Sequence, residues 1–189
     1  MIILRRRVVI TGLGAVTPAG NCVEDSWKAL CRGKSCIGPI TRFDASDFPT
    51  RIAAEVKGFD PFEYIDKKDE KKMDVFIQYA IGSGAMAMKD AAMPASNGNA
   101  ARIGVIVGVG LGGLPGIERY HSVLEEKGNR RLSPFFIPYV LPNLASGHLS
   151  MRFGAKGPNS CISTACTAGT HAIGESFRVI QRGDAEVMI

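Results

Sequence analysis

Short apolar runs alternate along the chain with segments of helical periodicity. Four runs predict buried strands, namely "RVVITGLG", "RIGVIVGVG", "SCIST" and "AEVMI". Between them, apolar and small residues recur every three or four positions, which predicts helices packed against those strands. The resulting order, β-α-β-α-β-α-β, is typical of a mostly parallel sheet covered by helices, so the fold class predicted is α/β.

Residues that start and stop helices support this order. "VEDSWKALCRGK" predicts a short helix that closes at Gly33, and "GLPGIERYHSVLEEKG" predicts one with Pro115 in its first turn. A helix rich in small residues is expected from Met73, and Gly183 is expected to end the last helix. The prolines of "SPFFIPYVLPN" exclude a long helix or a central strand, and residues 36–66 are expected to form loops with short strand pieces.

Composition and charge restrict the function classes. Of the 189 residues 46% are hydrophobic, enough for the core of one domain or of part of one. The net charge of +5 is modest and scattered, which favours acidic partners over nucleic acid. Arginines interrupt the short apolar opening, and no run of about 18 apolar residues exists, so neither a secretion signal nor a membrane span is expected.

The cysteines and the end of the chain add two expectations. The five cysteines form an odd set without regular spacing, which indicates reduced thiols in a cytoplasmic compartment. The sequence stops at Ile189 inside an apolar strand. We therefore expect the chain to be part of a longer protein, cut within a strand.

Cys166 lies where a predicted strand gives way to a predicted helix. A thiol there would face unpaired backbone N–H groups and the positive end of the helix dipole, which favour a thiolate. Small neighbouring residues permit a sharp turn like the nucleophile elbow of hydrolases. A buried structural cysteine is the alternative interpretation. Cys161, Cys166 and His171 are five residues apart, which suits no zinc motif, so no metal is expected.

The glycine motif "GVGLGG" permits two interpretations. Gly108, Gly110 and Gly113 match the dinucleotide fingerprint between a strand and a helix, but the acidic residue expected about 20 positions later is absent. A tight turn or a pocket wall explains the motif as well. His121 is expected to be exposed, whereas His148 and His171 lie in apolar helical contexts and are interpreted as core residues.

Five motifs in order resemble the N-terminal half of the β-ketoacyl-[acyl-carrier-protein] synthase II family. They are "VVITGLGAVTPAGN", "KKMDVFIQYAIGSGAMAMKDA", "GVIVGVGLGG", "SPFFIPYVLPNLASGHLSMRFGAKGPN" and "STACTAGTHAIGESFRVIQRGDAEVMI". The match is collinear from Val8 to Ile189. It implies the thiolase-like fold, here the N-terminal half of a layered αβαβα architecture with a mostly parallel mixed sheet.

The resemblance also implies a reaction and its residues. Members of the family condense an acyl chain, held on a cysteine, with malonyl-[acyl-carrier-protein], releasing CO2 and lengthening the chain by two carbons. Cys166 matches the nucleophile, whose backbone N–H forms part of the oxyanion hole. Leu111, Phe136 and Ile137 match residues of the acyl pocket, the latter two reaching in from the partner of a homodimer. The positions that match carrier-protein docking residues are Lys68, Lys71, Lys72, Arg130 and Arg131.

Several consequences and alternatives follow from the same resemblance. No cofactor is implied, and "SCIST" would pair with its copy across the dimer. Many relatives read "ACATG" around the cysteine, where this chain has Thr167 and Ala168, and Leu111 often stands as isoleucine in relatives. The catalytic histidines, lysine and gating phenylalanine of the family belong to its C-terminal half, so this chain alone is expected to be inactive in condensation. The alternatives are a non-catalytic module that binds carrier protein and dimerises, or a related polyketide ketosynthase or thiolase.

Overall fold

The structure, a computed structural model, describes residues 6–93 and 99–189, which form seven helices and five strands. The first five residues, on which part of the expectation about a secretion signal rests, lie outside it. The helices are α1 (Val23–Cys31), α2 (Lys67–Glu70), α3 (Val75–Asp90), α4 (Leu114–Lys127), α5 (Phe136–Val140), α6 (Leu144–Phe153) and α7 (Ala168–Arg182). The strands are β1 (Ile37–Pro39), β2 (Ile52–Ala54), β3 (Ile103–Gly108), β4 (Asn159–Ile162) and β5 (Val187–Met188).

A parallel sheet of three strands forms the centre, in the order β4-β3-β5. Residues 105–108 of β3 pair with residues 159–162 of β4, and Ile103 pairs with Val187 of β5. Parallel neighbours need a crossover connection. Helices α4, α5 and α6 lie between β3 and β4 in sequence, and α7 lies between β4 and β5. A separate antiparallel pair, β1 with β2, lies in the loop-rich segment between α1 and α2.

Alternate side chains of β3 enter cores on opposite faces of the sheet. Ile103 and Val105 pack with Leu149 of α6, while Ile106 packs with Ala172 and other residues of α7. Helix α3 packs closely against α6, which explains the many small residues of α3. A β-carbon on Gly84 of α3 would stand 2.5 Å from the Leu149 side chain of α6. One helical layer therefore covers each face of the sheet, and the α/β class predicted from the sequence is confirmed.

The helix ends predicted from the sequence are also confirmed. Pro115 lies in the first turn of α4, Gly128 follows its last residue, and Gly183 ends α7 in the left-handed conformation. Helix α5 is only five residues long, as the prolines around it require. Among the described residues, no helix has the length and apolar character needed to cross a membrane.

The predicted first strand, "RVVITGLG" at residues 7–14, is wrong for this structure. No strand forms between residues 6 and 16, and the side chains of Val9 and Ile10 are 70% and 78% exposed. An apolar run becomes a strand only where a neighbour supplies hydrogen bonds. Here the segment instead contacts α3: the Leu13 N–H donates to the Asp90 carboxylate at 2.9 Å, and a β-carbon on Gly14 would stand 1.9 Å from the Ser83 carbonyl oxygen.

Candidate active site

Cys166 lies on the turn that connects β4 to α7, and its side chain is exposed. The turn is sharp because Ala165, the residue directly before Cys166, has φ +52°. A residue with a β-carbon in this left-handed region stores on the order of 1–3 kcal/mol of strain, and such residues cluster at functional sites. The strand-to-helix junction predicted from the sequence is therefore present, with a strained residue at its corner.

The start of α7 provides a favourable electrostatic environment for negative charge near Cys166. The helix runs for 15 residues from Ala168, two positions after the cysteine. The N-cap residue Thr167 makes no side-chain capping bond; its hydroxyl instead donates to the Thr164 carbonyl at 2.7 Å. The first N–H groups of α7 thus receive no capping bond from Thr167, and the positive end of the helix dipole lies beside the thiol.

The glycine motif lies directly beneath this turn. A β-carbon on Gly108 would stand 2.2 Å from the carbonyl oxygen of Ala168, and one on Gly110 would stand 3.3 Å from that of Ala165. Gly113 has φ +68° and caps the start of α4. The glycines therefore serve close backbone contact and a tight turn, which is the second of the two interpretations drawn from the sequence.

A cavity of about 600 Å³ opens next to the turn. Leu111 and Gly110 line one side of it, Gly169 and Ile173 of α7 line another, and Phe76 of α3 contributes a ring. Cys166 is not among the lining residues but lies three residues before Gly169. Leu111 is 75% exposed, so its side chain projects freely at the edge of this apolar space.

Phe136 and Ile137 lie elsewhere, on the short helix α5. Neither residue lines the cavity beside Leu111. Phe136 packs on Tyr120 of α4 with 4.7 Å between ring centroids, and Ile137 is 54% exposed. The structure thus places the predicted pocket residues in two groups on one chain: Leu111 follows Gly110, which packs on the turn of Cys166, and the other two lie on α5.

The predicted docking residues cluster around α2 and the turn after α4. Lys68 and Lys71 are exposed, and Lys68 lies 3.6 Å from Asp66. Lys72 forms a 2.6 Å ion pair with Asp69, and its ammonium also lies 5.6 Å from the centre of the Phe135 ring. This contact brings the end of α2 beside the segment that follows the exposed residues Arg130 and Arg131.

The other cysteines and the histidines surround the site differently. Burial raises the pKa of the Cys161 thiol on β4, opposed by a backbone hydrogen bond from Val109. His148 is half-buried, as its apolar context predicted, and burial lowers its pKa against the opposing effect of Asp69. His171 is exposed, so its interpretation as a core residue is wrong: it lies on the outer face of α7, 3.4 Å from the Thr164 hydroxyl. Over the described ranges, no three His, Cys, Asp or Glu residues gather into a metal-binding group.

Sequence reasoning missed two features of the site. The left-handed conformation of Ala165 has no signal in its residue type, since glycine or asparagine is the usual occupant. The contacts of Arg119, Tyr120 and Tyr139, which hold α5 on α4, join residues about 20 positions apart in sequence and follow no local period. Only the abundance of aromatic residues in residues 120–139 hinted at them.

Comparison with known families and relatives identifies the chain's relationships. Residues 5–189 match the family model described as beta-ketoacyl synthase, N-terminal domain. The chain is 53% identical over 185 residues to the 3-oxoacyl-[acyl-carrier-protein] synthase 2 of Vibrio harveyi, covering 98% of this chain and 45% of that protein. It is 48% identical to the protein of the same name from Synechocystis sp., covering 98% of this chain and 44% of the relative. The chain thus spans less than half the length of these curated relatives.

Solved structures show the same relationship. The ishigamide ketosynthase/chain length factor superposes with a TM-score of 0.87 at 27% identity, over 96% of this chain and 45% of that one. A type II PKS ketosynthase, bound to the hexaketide and in complex with its acyl-carrier protein, has a TM-score of 0.79 at 28% identity, over 97% of this chain and 49% of that one. The parallel sheet with its helical layers is therefore that of ketosynthases, as expected for a thiolase-like fold.

Proposed function

The chain belongs to the beta-ketoacyl synthase family, whose N-terminal domain it matches, and we propose that the protein containing it is a 3-oxoacyl-[acyl-carrier-protein] synthase. Cys166 is the nucleophile that receives the acyl chain. Malonyl-[acyl-carrier-protein] is the second substrate, and the product is a 3-oxoacyl chain two carbons longer. Residues 1–189 form the N-terminal ketoacyl synthase domain of this enzyme.

The reaction divides a difficult carbon–carbon bond formation into two easier steps. In the first, the Cys166 thiolate attacks the thioester carbonyl of the acyl carrier protein; a new thioester forms on Cys166 and the carrier thiolate leaves. In the second, malonyl carrier protein loses CO2, and its carbanion attacks the Cys166 thioester and expels the cysteine thiolate. Negative charge develops on the carbonyl oxygen in both steps, where the Cys166 backbone N–H would donate to it.

One observation carries the proposal: Cys166 is exposed on a strained turn at the start of a long helix, and an apolar cavity lined by Gly110 and Gly169 lies next to that turn. A structural cysteine would be buried and would need neither the strain nor the helix end. The cavity, edged by Leu111, is of the size that holds a small ligand or part of an acyl chain. Phe136 and Ile137 would close this pocket from the partner subunit.

The proposed partners follow from surface features and relatives. Lys68, Lys71, Lys72, Arg130 and Arg131 would dock the acidic acyl carrier protein, and a similar ketosynthase has been solved in complex with its carrier protein. A homodimer is supported by β4, an edge strand whose outer side has no neighbour among the described strands. Two copies of β4 would pair across the dimer to make one continuous sheet. Unpaired cysteines support a cytoplasmic location.

The acylation step can be tested on this chain alone. The purified chain is incubated with acyl carrier protein loaded with a fatty acyl group, and its intact mass and digest are measured. We expect one acyl adduct on Cys166, none in a Cys166→Ala variant, and no 3-oxoacyl product when malonyl carrier protein is added. Acylation of another cysteine, with Cys166 unmodified in a folded chain, would reject the proposed nucleophile.

The same assay addresses two of the alternatives left open by the sequence. A non-catalytic module would bind carrier protein, as measured by titration, without ever accepting the acyl group. For a polyketide ketosynthase, the acyl carrier would carry a polyketide chain instead of a fatty acyl chain. The higher identity to 3-oxoacyl-[acyl-carrier-protein] synthases, 53% against 28% for the type II PKS structure, supports the fatty acyl substrate.

A further inference from the structure

Helix α5, which carries Phe136 and Ile137, is held on α4 by a group of tilted and edge-on rings and one guanidinium group, which together form the α4–α5 stack. The Tyr120 ring lies 4.7 Å from the Phe136 ring and 6.2 Å from the Tyr139 ring, centroid to centroid. The Arg119 guanidinium lies 4.8 Å from the centroids of both tyrosine rings. Tyr120 is only 9% exposed, so the stack is anchored in the protein interior, while Arg119 closes it from the surface.

The backbones of the two helices fit closely around this stack. A β-carbon on Gly116 of α4 would stand 2.6 Å from the Tyr139 ring, and one on Gly113 would stand 2.5 Å from the Val140 α-carbon. Gly113 also ends the loop that carries Leu111. The start of α4 therefore fixes α5 on one side and the Leu111 loop on the other.

Tyr139 is suited to this role because it remains neutral. Burial raises its pKa, and the nearby Asp74 carboxylate acts in the same direction, with the Arg119 guanidinium opposing. A neutral ring presents its electron-rich face to the guanidinium, and Arg favours such stacking more than Lys does. The contact between Arg119 and Tyr139 is thus maintained across the physiological pH range.

We infer that Arg119, Tyr120 and Tyr139 are positioning residues that fix Phe136 and thereby set the length of acyl chain that the enzyme accepts. The inference rests on the proposed function, in which Phe136 closes the acyl pocket of the partner subunit. A ring packed at 4.7 Å on a buried tyrosine is a firm end wall, which a longer acyl chain has to displace. Without these contacts, a longer acyl chain displaces the Phe136 ring more easily.

The test measures chain-length selectivity in the condensing protein that contains this chain. The ratio of kcat/KM for palmitoyl to that for decanoyl carrier protein is determined for the wild type and for variants. We expect Tyr120→Leu and Arg119→Met to raise this ratio by about tenfold. This is the lower end of the discrimination that an apolar pocket achieves between substrates that differ by one methylene group. Tyr139→Phe, which keeps the ring, should leave the ratio within about twofold, whereas Tyr139→Leu should raise it.

The choice of variants separates positioning from simple loss of structure. A destabilised protein loses activity on both acyl chains equally, so the ratio does not respond to folding alone. Arg119 is exposed, so Arg119→Met should fold even if the buried Tyr120 does not tolerate substitution. Phe48→Leu is the matched control, because it removes an aromatic contact of 5.6 Å with Phe43 outside the stack; its ratio should equal that of the wild type.

Phe136→Ala distinguishes the failure of this inference from that of the proposed pocket. If Phe136→Ala raises the ratio while Arg119→Met and Tyr120→Leu leave it unchanged, the positioning role is overturned and the pocket stands. If Phe136→Ala also leaves the ratio unchanged, Phe136 is not part of the acyl pocket, and both the positioning role and the pocket assignment are overturned. Absence of any condensation in the wild-type protein would reject the proposed function itself.

Discussion

Gly108 and Ala168 touch backbone to backbone: a β-carbon on Gly108 would stand 2.2 Å from the Ala168 carbonyl oxygen. Gly108 is the last residue of β3 and Ala168 the first of α7. The contact therefore joins the central strand to the helix whose start lies beside Cys166. Neither backbone can yield without moving the turn that holds the thiol, so the geometry of the site depends on the absence of a side chain at residue 108.

Gly108→Ala should accordingly damage the site. The added methyl group has to displace α7, and overpacking of this kind costs about 1–3 kcal/mol of the free energy of unfolding. Displacement of α7 also moves Cys166, so the rate of Cys166 acylation by acyl carrier protein should fall by more than the loss of folded protein explains. Urea unfolding and the intact-mass acylation assay measure the two effects separately.

Gly147→Ala is the matched control for this substitution. Gly147 lies inside α6, and a β-carbon there would meet no atom within 4 Å. Alanine in a helix interior is favoured over glycine by roughly 0.5–1 kcal/mol, so this variant should be at least as stable as the wild type and should acylate normally. Normal acylation of Gly108→Ala would mean that the contact does not position Cys166.

Thiol reactivity provides a second prediction. Cys166 is exposed, whereas Cys161, five residues earlier, is partly buried and has a raised pKa. Because the thiolate is the reacting form, Cys161 requires a higher pH to react. Brief treatment with iodoacetamide near neutral pH, followed by peptide mapping, should therefore label Cys166 far more than Cys161, with the labelling of Cys161 rising only in alkaline solution.

The labelling of exposed Cys31 calibrates this experiment. Both Cys31 and Cys166 are accessible, so faster labelling of Cys166 would report activation by its surroundings and not exposure alone. Labelling of Cys161 ahead of Cys166 in the folded chain would contradict the structure of the turn.

The sequence predicted those elements whose physics is local. Gly128 and Gly183 end their helices, and the apolar run at residues 103–108 forms the central strand, because capping and burial patterns are readable along the chain. The run at residues 7–14 has equal strand character but lies exposed, since a strand also needs a neighbour to pair with. That requirement is tertiary and leaves no mark in the run itself.

The candidate site was predictable to a similar extent. The position of Cys166 at a strand-to-helix junction followed from local pattern, whereas its proposed role as nucleophile rests on the resemblance to a family and stays a prediction. The contact of Gly108 with Ala168 joins residues 60 positions apart in sequence, and the stack on Phe136 joins two helices. Contacts of this kind depend on how elements pack, so the glycine motif remained open to a dinucleotide interpretation until the packing was known.

His148 predicts a pH dependence of stability. Burial lowers its pKa in the folded state, so below its ordinary value of 6.5 the unfolded chain takes up a proton that the folded chain resists. The stability of the fold with a neutral His148 is fully present above pH 6.5, and the free energy of unfolding decreases as the pH falls below this value. Asp69 acts in a separate window, because its pKa is lowered from 3.8 by the hydrogen bond from Lys72 and its contribution is lost only in stronger acid.

His148→Gln should therefore flatten the decline of the unfolding free energy between pH 7 and 5, as measured by urea unfolding at several values of pH. His121→Gln is the matched control, since His121 is exposed on α4. An unchanged slope in His148→Gln, or an equal change in both variants, would exclude His148 as the source of the pH dependence.

The last prediction concerns the docking of carrier protein. Asp69 holds Lys72 in an ion pair of 2.6 Å, so under the proposed docking it would compete with the carboxylates of an acidic carrier for that ammonium group. Asp69→Asn should release Lys72 and tighten binding by up to about fivefold, the scale of an exposed ion pair. Lys71→Glu should weaken binding, and both effects should shrink as salt screens the charges. Titration of acyl carrier protein at low and high salt measures them.

Lys89→Glu, at the far end of α3, is the control variant and should change the binding affinity little. Weaker binding by Asp69→Asn would show that Asp69 supports the docking surface instead of competing with the carrier.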